Sequence, residues 1–448
     1  MEKVVLFNSL GNQLEEFKPL REGKVSIYCC GPTVYNDPHI GNFRPVIVFD
    51  VLRRLFLRLG YSVKFVSNYT DVDDKIINRA KELGIDEKTL TESVIKEYRS
   101  LVEAVGSMQP DETPKPTVYM PQILNYVKEL VENGSAYAVG GDVYLKVQEI
   151  PAYGELSGNS VEQLESGARI DINDKKADPL DFALWKETTE GIKWESPWGH
   201  GRPGWHTECC VMINSIFADQ DGYIDIHGGG FDLKFPHHEN EIAQAKAHNH
   251  HKLARYWMHN GFINVDNEKM SKSLGNVILM KDVVNEFGGI PFRMMILAAH
   301  YRAPASFSEE TIKEAQKKYA QLCSAVKSAA IALQLAGESC DNLPRPVESK
   351  VVDALRDDLN TPNALAALYE DNKDLNMVLR TRPLDMAKLK EALARLLDDV
   401  DVLGIRVSVP HLSEDDKRLY GEYNDAKAAK DFAKSDEIRQ QLIERGVF

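Results

Sequence analysis

Between Lys24 and Tyr69 the sequence runs strand, turn, helix, strand, and this order limits the possible folds more than any other feature of the chain. Lys24-Val25-Ser26-Ile27-Tyr28-Cys29-Cys30-Gly31 is apolar enough for a buried strand. Pro32 to Asn42 is turn-rich, with Pro32, Pro38 and Gly41. Phe43 to Leu59 reads as a strongly apolar helix closed by Gly60, a residue that can take the left-handed conformation that ends helices. Tyr61 to Tyr69 reads as a second strand, and Asp71-Val72-Asp73-Asp74 opens another helix with acids in its first turn, where the helix dipole favours them. Strands separated by helices in this way lie parallel. The expected fold class is therefore α/β, with a doubly wound parallel (Rossmann-type) catalytic sheet.

At 448 residues the chain is too long for one ordinary core, so several domains are expected. Pro110, Pro114, Pro116 and Pro121 mark a boundary. Beyond it, a helix from Gln122 to Asn133, a strand near Asp142 to Val147 and a Gly/Asp-rich stretch to about Asn173 look like an insertion. Near Trp198 to Trp205 the chain returns to glycine-rich loop chemistry. Ile224 to His227 reads as a short buried strand and Pro236 to His250 as a polar helix. After Phe307 the pattern is helical, over 308–335, 348–376 and 385–403. The expected layout is a two-part catalytic domain, 1–115 and 195–260, around a connective insertion, 116–194. A linking subdomain, 261–306, then leads to an all-helical bundle, 307–405, and a charged terminal region, 406–448. In that last region Lys427, Lys430 and Lys434 recur at helical spacing and are expected to share a face.

Composition narrows the setting. Hydrophobic residues are 43% and charged residues 27%, the balance of a soluble globular protein. No apolar run approaches the roughly 20 residues that span a bilayer. Met1 to Phe7 lacks a basic stretch followed by an apolar one, and six cysteines are too few for a disulfide scaffold. A cytoplasmic protein with free or metal-binding thiols is expected. The net charge of −14 argues against a generic nucleic-acid coat but leaves room for a local basic stripe.

Three groups of residues carry chemistry. Pro38-His39-Ile40-Gly41-Asn42 lies between a strand and a helix, where unpaired N–H groups favour an anion; Gly41 allows close backbone approach, and His39 and Asn42 can donate to phosphate oxygens. Lys269-Met270-Ser271-Lys272-Ser273 places two lysines around small hydroxyl residues, a phosphate clamp. Cys30, Cys209, His237 and Glu241 supply two thiolates, an imidazole and a carboxylate, a tetrahedral zinc set drawn from separate segments near strand C-termini. Cys29, Cys210, Cys323 and Cys340 are expected to be inert.

The first two motifs, in this order, resemble the HIGH and KMSKS nucleotide-binding motifs of class I aminoacyl-tRNA synthetases. Tyr28 to Asn42, Asn68 to Ile76, Gly199 to Cys209, Asp225 to Asp232, Phe235 to Ala243 and Lys269 to Asn276 together resemble the cysteinyl-tRNA synthetase family over nearly the whole chain. The resemblance implies that L-cysteine is activated with ATP and Mg²⁺ and passed to the terminal adenosine of tRNA(Cys), by a monomer with no membrane partner. It places zinc on Cys30, Cys209, His237 and Glu241, and catalytic phosphate contacts on His39, Asn42, Lys269 and Lys272. It places ATP against Gly41, His227, Gly229, Asp232 and Lys272, and the cysteine substrate against Thr70 and Trp205. Asn42 departs from the family's usual second His. The chain also stops at Phe448, short of a strand-like tail, so the anticodon-binding region is expected to be incomplete. Two rivals remain: a ligase of the mycothiol pathway type, joining activated cysteine to an amino sugar, and a non-catalytic tRNA-binding paralogue.

Overall fold

A computed structural model describes residues 3–158, 175–266, 268–270 and 275–447, with only the backbone of Lys269. The chain opens with an antiparallel hairpin, β1 (Val5–Asn8) and β2 (Gln13–Glu16), which its short mixed sequence does not announce. β3 (Lys24–Cys29), α1 (Phe43–Arg58) and β4 (Ser62–Ser67) then form the expected strand–helix–strand unit, and β3 and β4 pair in parallel. Gly31 shows why β3 ends where it does. A Cβ there would lie 1.6 Å from the Asn68 carbonyl oxygen, so only glycine lets the two strand exits approach. α2 (Asp74–Leu83) starts where its acids suggest, with Asp73 as cap accepting from the Lys75 N–H, and α3 (Glu87–Ala104) follows.

The insertion packs α4 (Met120–Glu132) against an antiparallel sheet of β5 (Ala136–Val139), β6 (Asp142–Leu145), β7 (Phe182–Glu187), β8 (Trp194–Ser196) and β9 (Gly199–Pro203). β9 pairs with β7 and β8, so this sheet runs beyond 194 and takes in residues that read as a glycine-rich loop. α5 (Trp205–Ile216), β10 (Ile224–Gly230), α6 (Glu239–Asn249) and β11 (Ala254–Asn260) complete the first layer. Its sheet order is β11-β10-β3-β4, parallel throughout. A small second sheet joins β12 (Ile263–Val265) to β13 (Glu268–Lys269) and to β14 (Ala305–Phe307), with α7 (Met280–Phe287) and α8 (Gly289–Leu297) between them in sequence.

The remainder is helical: α9 (Glu309–Leu335), α10 (Lys350–Arg356), α11 (Thr361–Arg380), α12 (Met386–Val402), α13 (Glu414–Ala428) and α14 (Phe432–Glu444). Two expectations are corrected here. The span 348–376 is not one helix: Asp358 and Leu359 have φ of 54° and 51°, and the Asp358 carboxylate is drawn out of helical register by the Phe7 N–H, the Tyr301 hydroxyl and Arg302. These partners are distant in sequence, so no local pattern reports them. Lys427, Lys430 and Lys434 do not share a helix face either. α13 ends at Ala428, Lys430 turns the chain at φ 60°, and Lys434 belongs to α14.

One continuous apolar core runs from Val4 and Leu6 through α1 and α8 into α12 and Ile405. Arg293, fully buried on α8, ties its parts together. It donates to the Leu403 carbonyl at 2.6 Å, the Ser107 hydroxyl at 3.0 Å and the Asp50 carboxylate of α1 at 2.6 Å. A buried charge is tolerable only when paired and hydrogen-bonded in this manner. A second core joins the insertion to Tyr28 and Cys30, and a small third one joins Ile331 to Leu412, Leu419, Ile438 and Leu442.

Candidate active site

The parallel sheet delivers its polar residues where β3, β4 and β10 end, the position at which doubly wound sheets bind ligands. Cys30 follows β3, and its N–H donates to the Gly228 carbonyl on β10 at 3.0 Å. Cys209 sits one turn into α5. His237 lies in the wide turn Lys234–His238 that precedes α6, and Glu241 lies in the first turn of that helix. The Sγ atoms of Cys30 and Cys209 are 3.8 Å apart, Cys209 Sγ is 3.8 Å from His237 Nε2, and His237 Nε2 is 2.9 Å from Glu241 Oε1. All four ligand atoms fall within 4.8 Å of one another, and all four residues are buried. A second quartet shares two members and replaces the others with His227 and His238.

Hydrogen bonds orient the imidazoles of both quartets. His237 Nδ1 faces His206 Nδ1 at 2.9 Å. Burial, and then the charge on His237, push His206 down to about 3, so it is neutral and accepts. That fixes one proton of His237 on Nδ1 and leaves Nε2 facing Cys209 and Glu241. His227 and His238 are held in the same way at Nδ1, His227 by the Tyr28 carbonyl at 3.0 Å and His238 by His259 at 2.8 Å, so they too turn Nε2 toward Glu241 and Cys30. The charges agree with a cation seat. Burial opposes ionisation of Glu241, yet the imidazoles of His227 and His237 hold it well below the ordinary carboxylate range. A hydrogen bond from Cys30 outweighs burial and lowers Cys209 to about 6. Burial would lower His237, but Glu241 and Cys209 lift it to about 10. Two thiols, one carboxylate and one imidazole, gathered in a dry site, form a donor set that fits zinc.

Above this group Trp205, the first residue of α5, stacks on His237 with centroids 4.3 Å apart and an interplanar angle of 21°. Its ring is 40% exposed, an open lid over a buried floor. Thr70 is buried at the side. Its hydroxyl donates to Glu208 at 3.3 Å and accepts from the Asn68 amide at 3.2 Å. Burial, then the Cys209 charge, raise Glu208 well above the usual carboxylate range, so it is protonated.

The nucleotide motifs meet beside this pocket. The Ile40 N–H donates to the Ile278 carbonyl at 3.0 Å, and the Met280 N–H to the Pro38 carbonyl at 2.9 Å. Gly41 lies under Met270: a Cβ on Gly41 would stand 2.9 Å from its methyl group. Asn42 turns its side-chain oxygen back to accept the His39 N–H at 3.0 Å, which closes the loop before α1. The backbone of Lys269 pairs with Asn264, while Lys272 lies outside the described residues. Gly229 lies at the end of β10, and Asp232 is exposed at the rim in the short turn Phe231–Leu233 that follows. His227 does not reach that rim. It is fully buried, and its Nε2 meets Glu241 at 2.6 Å.

Sequence reasoning missed Glu208, Asn68, His206, His238 and His259. The polar run Asn68-Tyr69-Thr70-Asp71 closing an apolar strand was the one available signal for Asn68. The others acquire a role only through contacts between distant segments.

Comparison with known proteins follows the same lines. Residues 16–317 match the family described as tRNA synthetases class I (C) catalytic domain, and residues 350–408 match the DALR domain. Cysteine–tRNA ligases of Halalkalibacterium halodurans and Lysinibacillus sphaericus are 44% and 45% identical, each over 99% of this chain and 96% and 97% of theirs. That of Acholeplasma laidlawii is 43% identical over 98% of this chain and 99% of its own. The solved Mycobacterium tuberculosis methionyl-tRNA synthetase with methionyl-adenylate shares the fold, with a TM-score of 0.60 over 85% of this chain and 89% of that one, at 15% identity. With a class I catalytic domain over two thirds of its length and full-length kinship to the cysteine–tRNA ligases, the chain belongs to the class I (C) tRNA synthetase family.

Proposed function

We propose that the protein is a cysteine–tRNA ligase, which activates L-cysteine with ATP and transfers it to the 3′-terminal adenosine of tRNA(Cys). The convergence of Cys30, Cys209, His237 and Glu241 beneath Trp205, beside the packed nucleotide motifs, carries this reading. All of these groups come from one chain, and a monomer suffices.

The chemical difficulty is to tell cysteine from serine. Shape alone rejects a near-isostere by only about a hundredfold. Zinc held by Cys30, Cys209, His237 and Glu241 would supply a soft centre that prefers a thiolate to a hydroxyl. The chain's own residues do the rest. Trp205 covers the amino acid, and the buried Thr70–Glu208–Asn68 chain lines its side. In activation the substrate carboxylate oxygen forms a bond to the α-phosphorus of ATP, and the bond to pyrophosphate breaks. No proton has to leave the nucleophile and no covalent enzyme intermediate is needed. Catalysis is therefore positioning and charge stabilisation. His39, the N-terminus of the helix that follows and the amide of Asn42 serve the phosphates from one side. The resemblance assigns Lys269 and Lys272 to the same phosphates and Asp232 and Gly229 to the nucleoside, and Mg²⁺ accompanies ATP.

The test is incubation with labelled cysteine, ATP and total tRNA. Label is expected on tRNA, and serine is expected to drive negligible ATP–pyrophosphate exchange. Exchange with no tRNA-bound label would overturn the acceptor; no exchange with cysteine would overturn the reading altogether.

A further inference from the structure

Tyr28 on β3 is fully buried, and its hydroxyl has no hydrogen-bond partner among the described residues. A buried donor without an acceptor is destabilising, and a phenylalanine would fill the same space without that penalty. The strand decides where the side chain goes. Residues two apart on a strand share a face. Tyr28 and Cys30 accordingly pack with Cys209 in one cluster, while Ile27 and Cys29 belong to the core on the other side, with α1. The edge of the Tyr28 ring meets His227, with centroids 5.4 Å apart and an interplanar angle of 84°. Burial first, and then Cys209, Cys30 and Glu241, hold the hydroxyl protonated, so three of the four cradle residues bear on it. Their capacity to accept differs. Glu241 is already engaged by His227 at 2.6 Å and His237 at 2.9 Å, and Cys30 Sγ meets His238 Nε2 at 3.3 Å. The contacts of Cys209 Sγ with Cys30, His237 and Asn68 are long, at 3.8, 3.8 and 3.9 Å.

We propose that Tyr28 is a positioning residue of the metal cradle, whose hydroxyl donates to the Cys209 sulfur when that sulfur is a metal-bound thiolate. A thiol is a weak acceptor. Metal binding releases its proton to solvent, and the thiolate left behind accepts strongly. The donor therefore suits the loaded state. Its bond draws electron density from the sulfur, lessens what that sulfur gives to the ion, and leaves the ion a better acceptor for one more thiolate, the one that a cysteine substrate brings. This inference rests on the reading of Cys30, Cys209, His237 and Glu241 as zinc ligands.

The experiment compares the full chain with Tyr28→Phe, which removes one oxygen and keeps the ring. Tyr126→Phe is the control: that hydroxyl is also buried without a partner, but it lies beside Cys210, which is not in the cradle. Zinc affinity is measured by competition with a chelator, and Co²⁺ is loaded in a parallel sample to read the thiolate-to-metal band. Tyr28→Phe is expected to bind zinc about tenfold or more weakly, since loss of an outer partner typically costs about 10–100-fold. Its cobalt band should move to longer wavelength, because a sulfur lone pair freed of a hydrogen bond lies higher in energy. Thermal midpoints supply a reading that a purely structural hydroxyl would not give. Without metal, Tyr28→Phe should melt at or above the parent, because an unpaired buried donor is gone. With zinc it should melt below the parent. Parent-like zinc affinity and cobalt band in Tyr28→Phe would overturn the proposal, even with a raised KM for cysteine, since the hydroxyl would then serve the substrate. Equal losses of midpoint with and without metal would overturn it as well, and so would an equal effect of Tyr126→Phe. A parent chain that binds no zinc would instead strike the cradle reading itself.

Discussion

Cys30 and Cys209 stand 3.8 Å apart in a buried pocket where no disulfide links them, and their separation suits a shared cation. Cys30→Ser should therefore release bound zinc, read by metal analysis, and weaken cysteine binding far more than ATP binding. Equal loss of both affinities would point to misfolding. Lys272→Ala belongs to the same scale. Its charge matters most when the phosphate is pentavalent, so adenylate formation should slow by a few orders of magnitude, roughly 3–4 kcal/mol for one donor of this kind, with little change in cysteine affinity. Exchange at the parent rate would remove Lys272 from the clamp. The four cradle residues were legible because their donor types are scarce and specific. His206, which sets the tautomer of His237, was not, since its function is a 2.9 Å contact across thirty residues of intervening chain. Cys29 and Cys210 are both buried, and that burial pushes both thiols well up.

At the level of elements, periodicity found β3, α1, β4, α9 and α12 to within about two residues at each end, because burial on one face or both leaves a pattern in the sequence. It failed where partners are distant. The Asp358 break and the edge strands of the insertion depend on contacts that no window of sequence contains. α12 holds a testable case. Asp399 is fully buried on it, with one carboxylate oxygen accepting from the Ser349 hydroxyl at 2.8 Å and the other without a partner. Burial, and then the nearby Asp371, lift this carboxyl to about 8. The folded form thus holds a proton that the unfolded chain releases near 4. Its contribution is complete below the unfolded value and disappears as pH rises through the folded one. Asp399→Asn keeps a neutral side chain, so the parent's thermal midpoint should fall more steeply than the variant's between about pH 4 and 8. Parallel pH profiles would mean that Asp399 is ionised in the fold.

For the whole molecule, the division of labour between catalytic layers and terminal hairpin sets the prediction. α13 and α14 share a small core with Ile331 and contribute nothing to the pocket beneath Trp205. Ending the chain after Gly404 should leave cysteine-dependent pyrophosphate exchange nearly intact and cut tRNA charging, with a flatter salt dependence. Equal charging by the shortened and full chains would revive an acceptor smaller than tRNA, the amino-sugar alternative. Lost exchange would make the hairpin a brace.

The continuity of the first core has a historical consequence. α10, α11 and α12 share their apolar interior with α1 and α8, and Arg293 threads α8, α1 and the end of α12 into one buried knot. Recombination cannot pass this bundle between proteins as a portable cassette, because its removal would strip the flank of the nucleotide-binding layer. Past Val409 the chain leaves this core and packs on Ile331 of α9 instead. Lineages of this architecture should differ in length and attachments there, and descend as a single inherited block before it.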